Sequence, residues 1–132
     1  MKHHLVSRIA IWVLAIVMIV FGIQHFRHPK DMLVYVPAYI PGGINWVYFV
    51  GAAFILAGLA FIINRFVSLA GYLLAALLII FVIIIHWPNY HGAGDAEMRQ
   101  MAFVNMLKDT ALAAFAVYVA VNAKHQRLNT DE

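Results

Sequence analysis

Four apolar runs, Ile9 to Ile23, Ile44 to Ile63, Phe66 to Ile85 and Met101 to Val121, constrain this chain more than any other feature. A helix needs roughly 20 apolar residues to cross the hydrocarbon core of a bilayer, and each run, extended by its flanks, comes close to that. The second and third runs are apolar all round, whereas a helix on the surface of a soluble core carries a polar stripe. Only 11% of the residues are charged, against roughly 25% in soluble domains. The sequence therefore predicts an all-α, polytopic membrane protein, a four-helix transmembrane bundle. Its helices are expected over about 7–26, 44–63, 66–86 and 100–122, in one transmembrane domain spanning residues 1–132. No length remains for a sizeable soluble domain.

The first run follows Lys2, His3, His4 and Arg8, as a signal peptide would. The continuation Gly22-Ile23-Gln24-His25-Phe26-Arg27 is too bulky and polar for a small-residue cleavage site, so the run is expected to stay as a membrane helix. Between the first two runs, Pro29 to Gly43 holds three prolines, which forbid a long helix, yet is too aromatic for a solvated loop. It is expected to lie in the membrane interface with Tyr35 and Tyr39 at headgroup level. Asn64 and Arg65 alone separate the second and third runs, giving a tight helical hairpin. His86 to Gln100 reads as a polar loop with a Gly-Ala-Gly turn. Small residues spaced by four, Ala53 and Ala57, Gly71 and Ala75, Ala116 and Ala120, allow close helix packing. The same spacing permits a homo-oligomer without specifying one.

Basic residues set the expected orientation. Lys2, Arg8, Arg65, Lys124 and Arg127 fall on the side of the termini, against Arg27, Lys30 and Arg99 on the other. Five against three predicts cytoplasmic termini by the positive-inside bias, in a bacterial inner membrane. That bias also accounts for the net charge of +3 without nucleic acid as a partner. The partner the sequence does require is the lipid bilayer. The absence of cysteine rules out disulfides, thiolate metal sites, iron–sulfur clusters and CxxC relays.

In this topology the polar residues gather at the outer end. Gln24 and His25 close the first helix, Asn45 and Trp46 open the second, His86 and Trp87 close the third, and Asn105, Lys108 and Asp109 lie early in the fourth. Asp109 sits roughly 12 Å below Met101 along a helix, where a lipid-facing charge costs on the order of 2.5–3.5 kcal/mol, so it is expected to face the bundle. Asn105 and Asp109 share a face, being four residues apart. Two readings of the cluster stand side by side. It is a structural clasp tying the fourth helix to its neighbours, or the carboxylate and a histidine handle a proton or bind a polar head such as a quinone carbonyl. Lys108 can also snorkel to the interface. Paired His25 and His86 could ligate a haem or a metal, but their helix-end positions and the lack of HxxxH spacing weigh against both. No covalently bound cofactor is expected. The expected arrangement places His25, His86, Asn105 and Asp109 around one cavity, Lys108 at its edge, and Trp46, Tyr48 and Trp87 as walls.

The segment Gly22-Ile23-Gln24-His25-Phe26 followed by Pro29, Pro37 and Pro41 resembles the GxxHFxxP start and proline-spaced loop of DoxX-like membrane proteins. Gly51 and Gly58 match glycines of that family's second helix, and Asn64-Arg65-Phe66 its short basic turn. Asn105-Met106-Leu107-Lys108-Asp109-Thr110-Ala111-Leu112-Ala113 is similar to its NLLKDLALA stretch. The resemblance covers most of residues 8 to 121. It implies a four-helix inner-membrane protein, in a family named after a subunit of an archaeal thiosulfate:quinone oxidoreductase, with other members tied to oxidative-stress complexes or left unassigned, and so implies membership more than activity. A redox partner protein and quinone are expected from the redox-associated reading. Many such proteins carry a glutamate where Tyr48 stands here, so this protein either lacks the chemistry of that carboxylate or uses Asp109 instead.

The sequence thus supports a redox-associated subunit contacting quinone or quinol near the outer face, accessory to an oxidoreductase. The competing readings are a non-catalytic scaffold or assembly factor and, further off, a small-solute carrier, for which 132 residues offer no inverted repeat unless the chain dimerises. The topology is checked by reporter fusions after Arg65 and after residue 95, which should report opposite sides of the membrane. Identical reports would refute it.

Overall fold

A computed structural model of the protein describes residues 2–123. Lys124 and Arg127, two of the basic residues behind the expected orientation, lie outside the described residues. The architecture is all-α: α1 (Lys2–Arg27), the short α2 (Pro29–Leu33), α3 (Ile44–Ile63), α4 (Val67–Phe81), a π-helical turn (Val82–His86), α5 (Trp87–Gly92) and α6 (Ala96–Val121). Four continuous stretches, Leu5–Arg27, Ile44–Ile63, Val67–Gly92 and Ala96–Val121, are long and apolar enough to span a bilayer. This is a multi-pass membrane protein.

The helices present an inside-out pattern. On α1 the buried face is Ile11, Leu14, Ala15, Met18 and Gly22, while Ile9, Val13, Ile16 and Val20 point outward. Large aliphatic side chains outside and small ones inside suit lipid as the solvent, because association there comes from close backbone packing and not from hiding apolar surface. Antiparallel α1 and α3 meet at two such points. A Cβ added to Gly58 would lie 2.7 Å from the Ala15 carbonyl, and one added to Gly22 would lie 2.6 Å from that of Gly51. Helices α4 and α6 meet in the same way, a Gly71 Cβ lying 2.8 Å from the Ala116 carbonyl. Ser68 Oγ adds a 3.0 Å hydrogen bond to the Ala120 carbonyl. The expected Gly71 and Ala116/Ala120 spacings thus form one contact, whereas Ala53 is only half-buried.

Two boundaries differ from expectation. The third span runs to Gly92, so most of the expected polar loop is helix and the turn shrinks to residues 93–95. Pro88 did not end the helix. Its missing N–H and its ring would collide with the usual ladder at Ile84, and the preceding π-turn absorbs the misfit, with Trp87 N–H bonding to the Val82 carbonyl five residues back. Helix α6 begins earlier than expected because Asp95 is its N-cap, accepting from Met98 N–H at 2.8 Å, the preferred chemistry for that position.

The opposite end is closed by a cap and a buried arginine. Asn64 takes the left-handed conformation (φ 59°), and Arg65 N–H bonds to the Ala60 carbonyl at 3.1 Å, a Schellman-type closure. Arg8, only 2% exposed, donates to the Phe61 carbonyl at 3.1 Å and to Asn64 Oδ1 at 3.3 Å. Its guanidinium therefore satisfies a carbonyl group that a helix end in lipid would leave bare.

Gly58→Leu should lower stability by roughly 1–3 kcal/mol, the usual range for overpacking, read as a shifted denaturant midpoint in micelles. Gly94→Ala, where an added Cβ meets nothing within 4 Å, should leave the midpoint unchanged. Equal effects at both positions would show that the close α1–α3 approach does not hold the bundle.

Candidate functional site

Between the two close helix pairs, toward the end carrying residues 28–43 and 93–95, lies a cavity of about 260 Å³. Its polar side is built from α6 and the π-turn. His86 Nε2 donates to Asp109 Oδ2 at 2.8 Å, with the two residues 8% and 5% exposed. The π-turn sits immediately before this bond and fixes the rotation at which His86 faces inward. The other carboxylate oxygen, Oδ1, lies 3.9 Å from Lys108 Nζ. That ammonium in turn sits 5.4 Å over the Phe21 ring, within cation–π range. Asn105, one turn before Asp109, lines the same space.

His25 enters from α1. Its Nδ1 donates to the Phe21 carbonyl at 2.6 Å, since a carbonyl only accepts, so the neutral ring offers Nε2 as an acceptor. The ring stands edge-on to Phe54, 5.4 Å between centroids. The apolar walls include Phe21, Phe54 and Phe81, with Phe54 and Phe81 themselves edge-to-face at 6.1 Å.

Of the residues singled out from the sequence, His25, His86, Asn105, Lys108, Asp109 and Trp46 line this cavity. Lys108 is among the lining residues and, with its side chain 47% exposed, stands at the rim as expected. Tyr48 and Trp87 do not reach it, which corrects their expected place in its walls. Successive helix residues turn by about 100°, so with His86 directed inward its neighbour Trp87 points out, 54% exposed and edge-on to His91 at 4.3 Å. Tyr48 is likewise turned from Trp46 and stacks on Phe26 at 5.5 Å. Trp46 is anchored by its Nε1, which donates to the Pro41 carbonyl at 2.7 Å.

The interhelical segment supplied residues that the sequence reading put elsewhere. Tyr35, expected at headgroup level, folds under the rim, half-buried and edge-on to the His86 ring at 6.4 Å. Met32 and Val36 join it in the lining. Their spacing of three and four residues places them on one side of the α2 turn, a signal present in the sequence. Tyr39 does remain outside, 78% exposed.

The geometry permits hydrogen bonding and proton handling at one edge of an apolar, aromatic chamber. The model of a domain of unknown function, DUF8561, matches residues 14–120. The chain belongs to the DUF8561 family. No curated protein and no solved structure matches it. The matched region of this DUF8561 protein contains every residue of the cavity and excludes Arg8, so the site falls wholly within the family's common part.

The His86–Asp109 bond yields a prediction. Asp109→Asn or His86→Leu alone should each cost roughly 1–3 kcal/mol, the penalty for stranding a buried polar partner. The double variant His86→Leu/Asp109→Leu should cost less than the sum of His86→Leu and Asp109→Leu measured singly. Strict additivity in a double-mutant cycle would show the bond makes no coupled contribution.

Proposed function

We propose that this protein is a DoxX-like inner-membrane subunit that contacts a quinone or quinol near the outer face and accompanies a redox partner protein. The observation carrying this reading is a 260 Å³ cavity with an aromatic interior and a single polar edge. Binding sites for small amphipathic molecules have that composition, mostly apolar with a few placed polar groups. The chamber fits a planar ring bearing carbonyl oxygens. Phe21, Phe54 and Phe81 offer faces and edges to the ring, while Lys108 Nζ and the Asn105 amide are donors for an oxygen. When bound, a quinone supplies reversible two-electron, two-proton chemistry.

The residues of the chain would orient the head and manage protons. Lys108, held over Phe21, directs positive charge into the cavity, where an oxygen gaining negative character is stabilised. Asp109 can hold a proton at Oδ1, and His86 Nε2 balances its other oxygen. His25 Nε2 stands as a second acceptor. Apolar walls exclude bulk water, which strengthens each of these contacts. The inner membrane, the outer-face placement and the cytoplasmic termini belong to the same proposal and rest on the basic-residue bias. The DoxX likeness rests on the motifs at residues 22–29, 51–66 and 105–113.

A scaffold or assembly role has one observation in its favour: the His86–Asp109 bond ties the π-turn to α6 and by itself explains a buried carboxylate. Purification separates the two readings. Organic extraction of the purified protein should release quinone, and a short-tailed quinol analogue, whose hydroxyl donates to the Asp109 carboxylate, should bind at least tenfold more weakly to Asp109→Asn. That factor corresponds to a charged hydrogen bond of about 1.5–3 kcal/mol. Loss of stability in Asp109→Asn with no quinone bound by either protein would overturn the quinone reading in favour of the scaffold.

A further inference from the structure

On the far side of α3 from the polar cavity, α3 and α4 separate into a second groove of about 360 Å³. Its floor is Ala53, Ala57 and Ala70 and its sides include Leu56, Leu73 and Phe66. Along α4 it extends from Phe66 to Leu77, roughly 16 Å at the helical rise. That is close to half the ~30 Å hydrocarbon thickness of a bilayer, the depth of one leaflet. At its mouth stands a cation. The Arg65 guanidinium lies 5.9 Å over the ring of Phe66, the residue that closes the groove at the α3–α4 turn.

The charge around that mouth has one sign among the described residues. Among the described residues Arg65 makes no ion pair or side-chain hydrogen bond, and Arg8 lies at the same end of the bundle. Of the described carboxylates, Asp31, Asp95 and Glu97 lie at the opposite end, and Asp109 lies midway along α6, bonded to His86. An anion in the headgroup layer is therefore attracted to Arg65, with no opposing charge near it among the described residues.

We infer that this groove holds one acyl chain of an anionic phospholipid whose phosphate is paired with Arg65. The apolar trough accounts for the chain, its length for a single leaflet, and the guanidinium for the anionic head. A zwitterionic lipid fills the trough equally well but carries a balancing cation next to its phosphate, so the site selects by charge.

The test uses the purified full-length protein in mild detergent, exchanged with phosphatidylglycerol or phosphatidylcholine and examined by native mass spectrometry. One phosphatidylglycerol should be retained with about fivefold preference, the effect of one basic residue at an anionic surface. Arg65→Gln should bring the two lipids to parity. Ala53→Phe, which fills the trough from its floor, should remove the bound lipid of either kind. Leu73→Trp, on an exposed wall, does so without disturbing the floor and serves if Ala53→Phe does not fold. Equal retention of both lipids by the unaltered protein, or retention undiminished in both trough-filling variants, would overturn the inference. So would efficient cross-linking of two Leu56→Cys copies in a bilayer, easily read in a chain without other cysteines, because a second copy would then occupy the groove.

Discussion

Close backbone approach at a few small residues governs the rest of this structure. In lipid there is no hydrophobic force to press helices together, so contact area must come from helices that touch along their backbones. Ala15 on Gly58, Gly22 on Gly51 and Gly71 on Ala116 provide it. These contacts bind α1 to α3 and α4 to α6 as two tight pairs. Space between the pairs is then filled by whatever side chains face it, and toward one end Phe21, Phe54 and Phe81 line it without filling it completely. The polar cavity is a consequence of pairing by glycine.

The same pairing makes buried polar groups affordable only where each has a partner. At one end, Arg8 meets the Phe61 carbonyl oxygen of α3 and the Asn64 side chain. At the other, His86 meets Asp109. Both bonds join helices of the same close pair, α1 to α3 and the α4–α5 span to α6. Neither bridges the two pairs, and the interhelical segment of Tyr35 covers the gap instead.

Much of this was legible in the sequence, because lipid imposes simple rules. Run length fixed four helices, and the cost of a charge in hydrocarbon turned Asp109 inward before any contact was known. The misses have equally physical origins. Trp87 and Tyr48 were grouped with their neighbours by depth, but depth along a helix carries no information about rotation, and a residue's rotation decides whether it faces cavity or lipid. The polar composition of residues 86–100 argues for ending the third span at His86, because a π-turn that carries the helix past Pro88 has no signature in a run of branched apolar residues. Arg8 was counted among the basic residues that orient the chain, and its use as a helix cap depends on the position of Asn64, 56 residues away. Tyr35 was assigned to the interface by residue type, whereas its spacing from Met32 already placed the two on one side of the chain.

Arg8 and Asp109 together offer an internal standard for deciding what a buried charge is for. A guanidinium has five donors in a fixed fork, and Arg8 spends two of them on a helix end and a side-chain oxygen while its plane lies 5.5 Å from the Trp12 ring. What marks Arg8 as structural is the helix end it closes and not saturation, since it uses two of the five donors and the neighbouring Trp12 Nε1 is buried without a partner among the described residues. A carboxylate has roughly four acceptor positions, and Asp109 uses one well, at 2.8 Å to His86, and another loosely, at 3.9 Å to Lys108. The remaining capacity opens onto an apolar chamber, beside a cation and two histidines. Fastening α6 to the π-turn needs only the His86 bond; Asp109 differs from Arg8 in that its remaining acceptor capacity faces a cavity, and that difference supports the proposed ligand there.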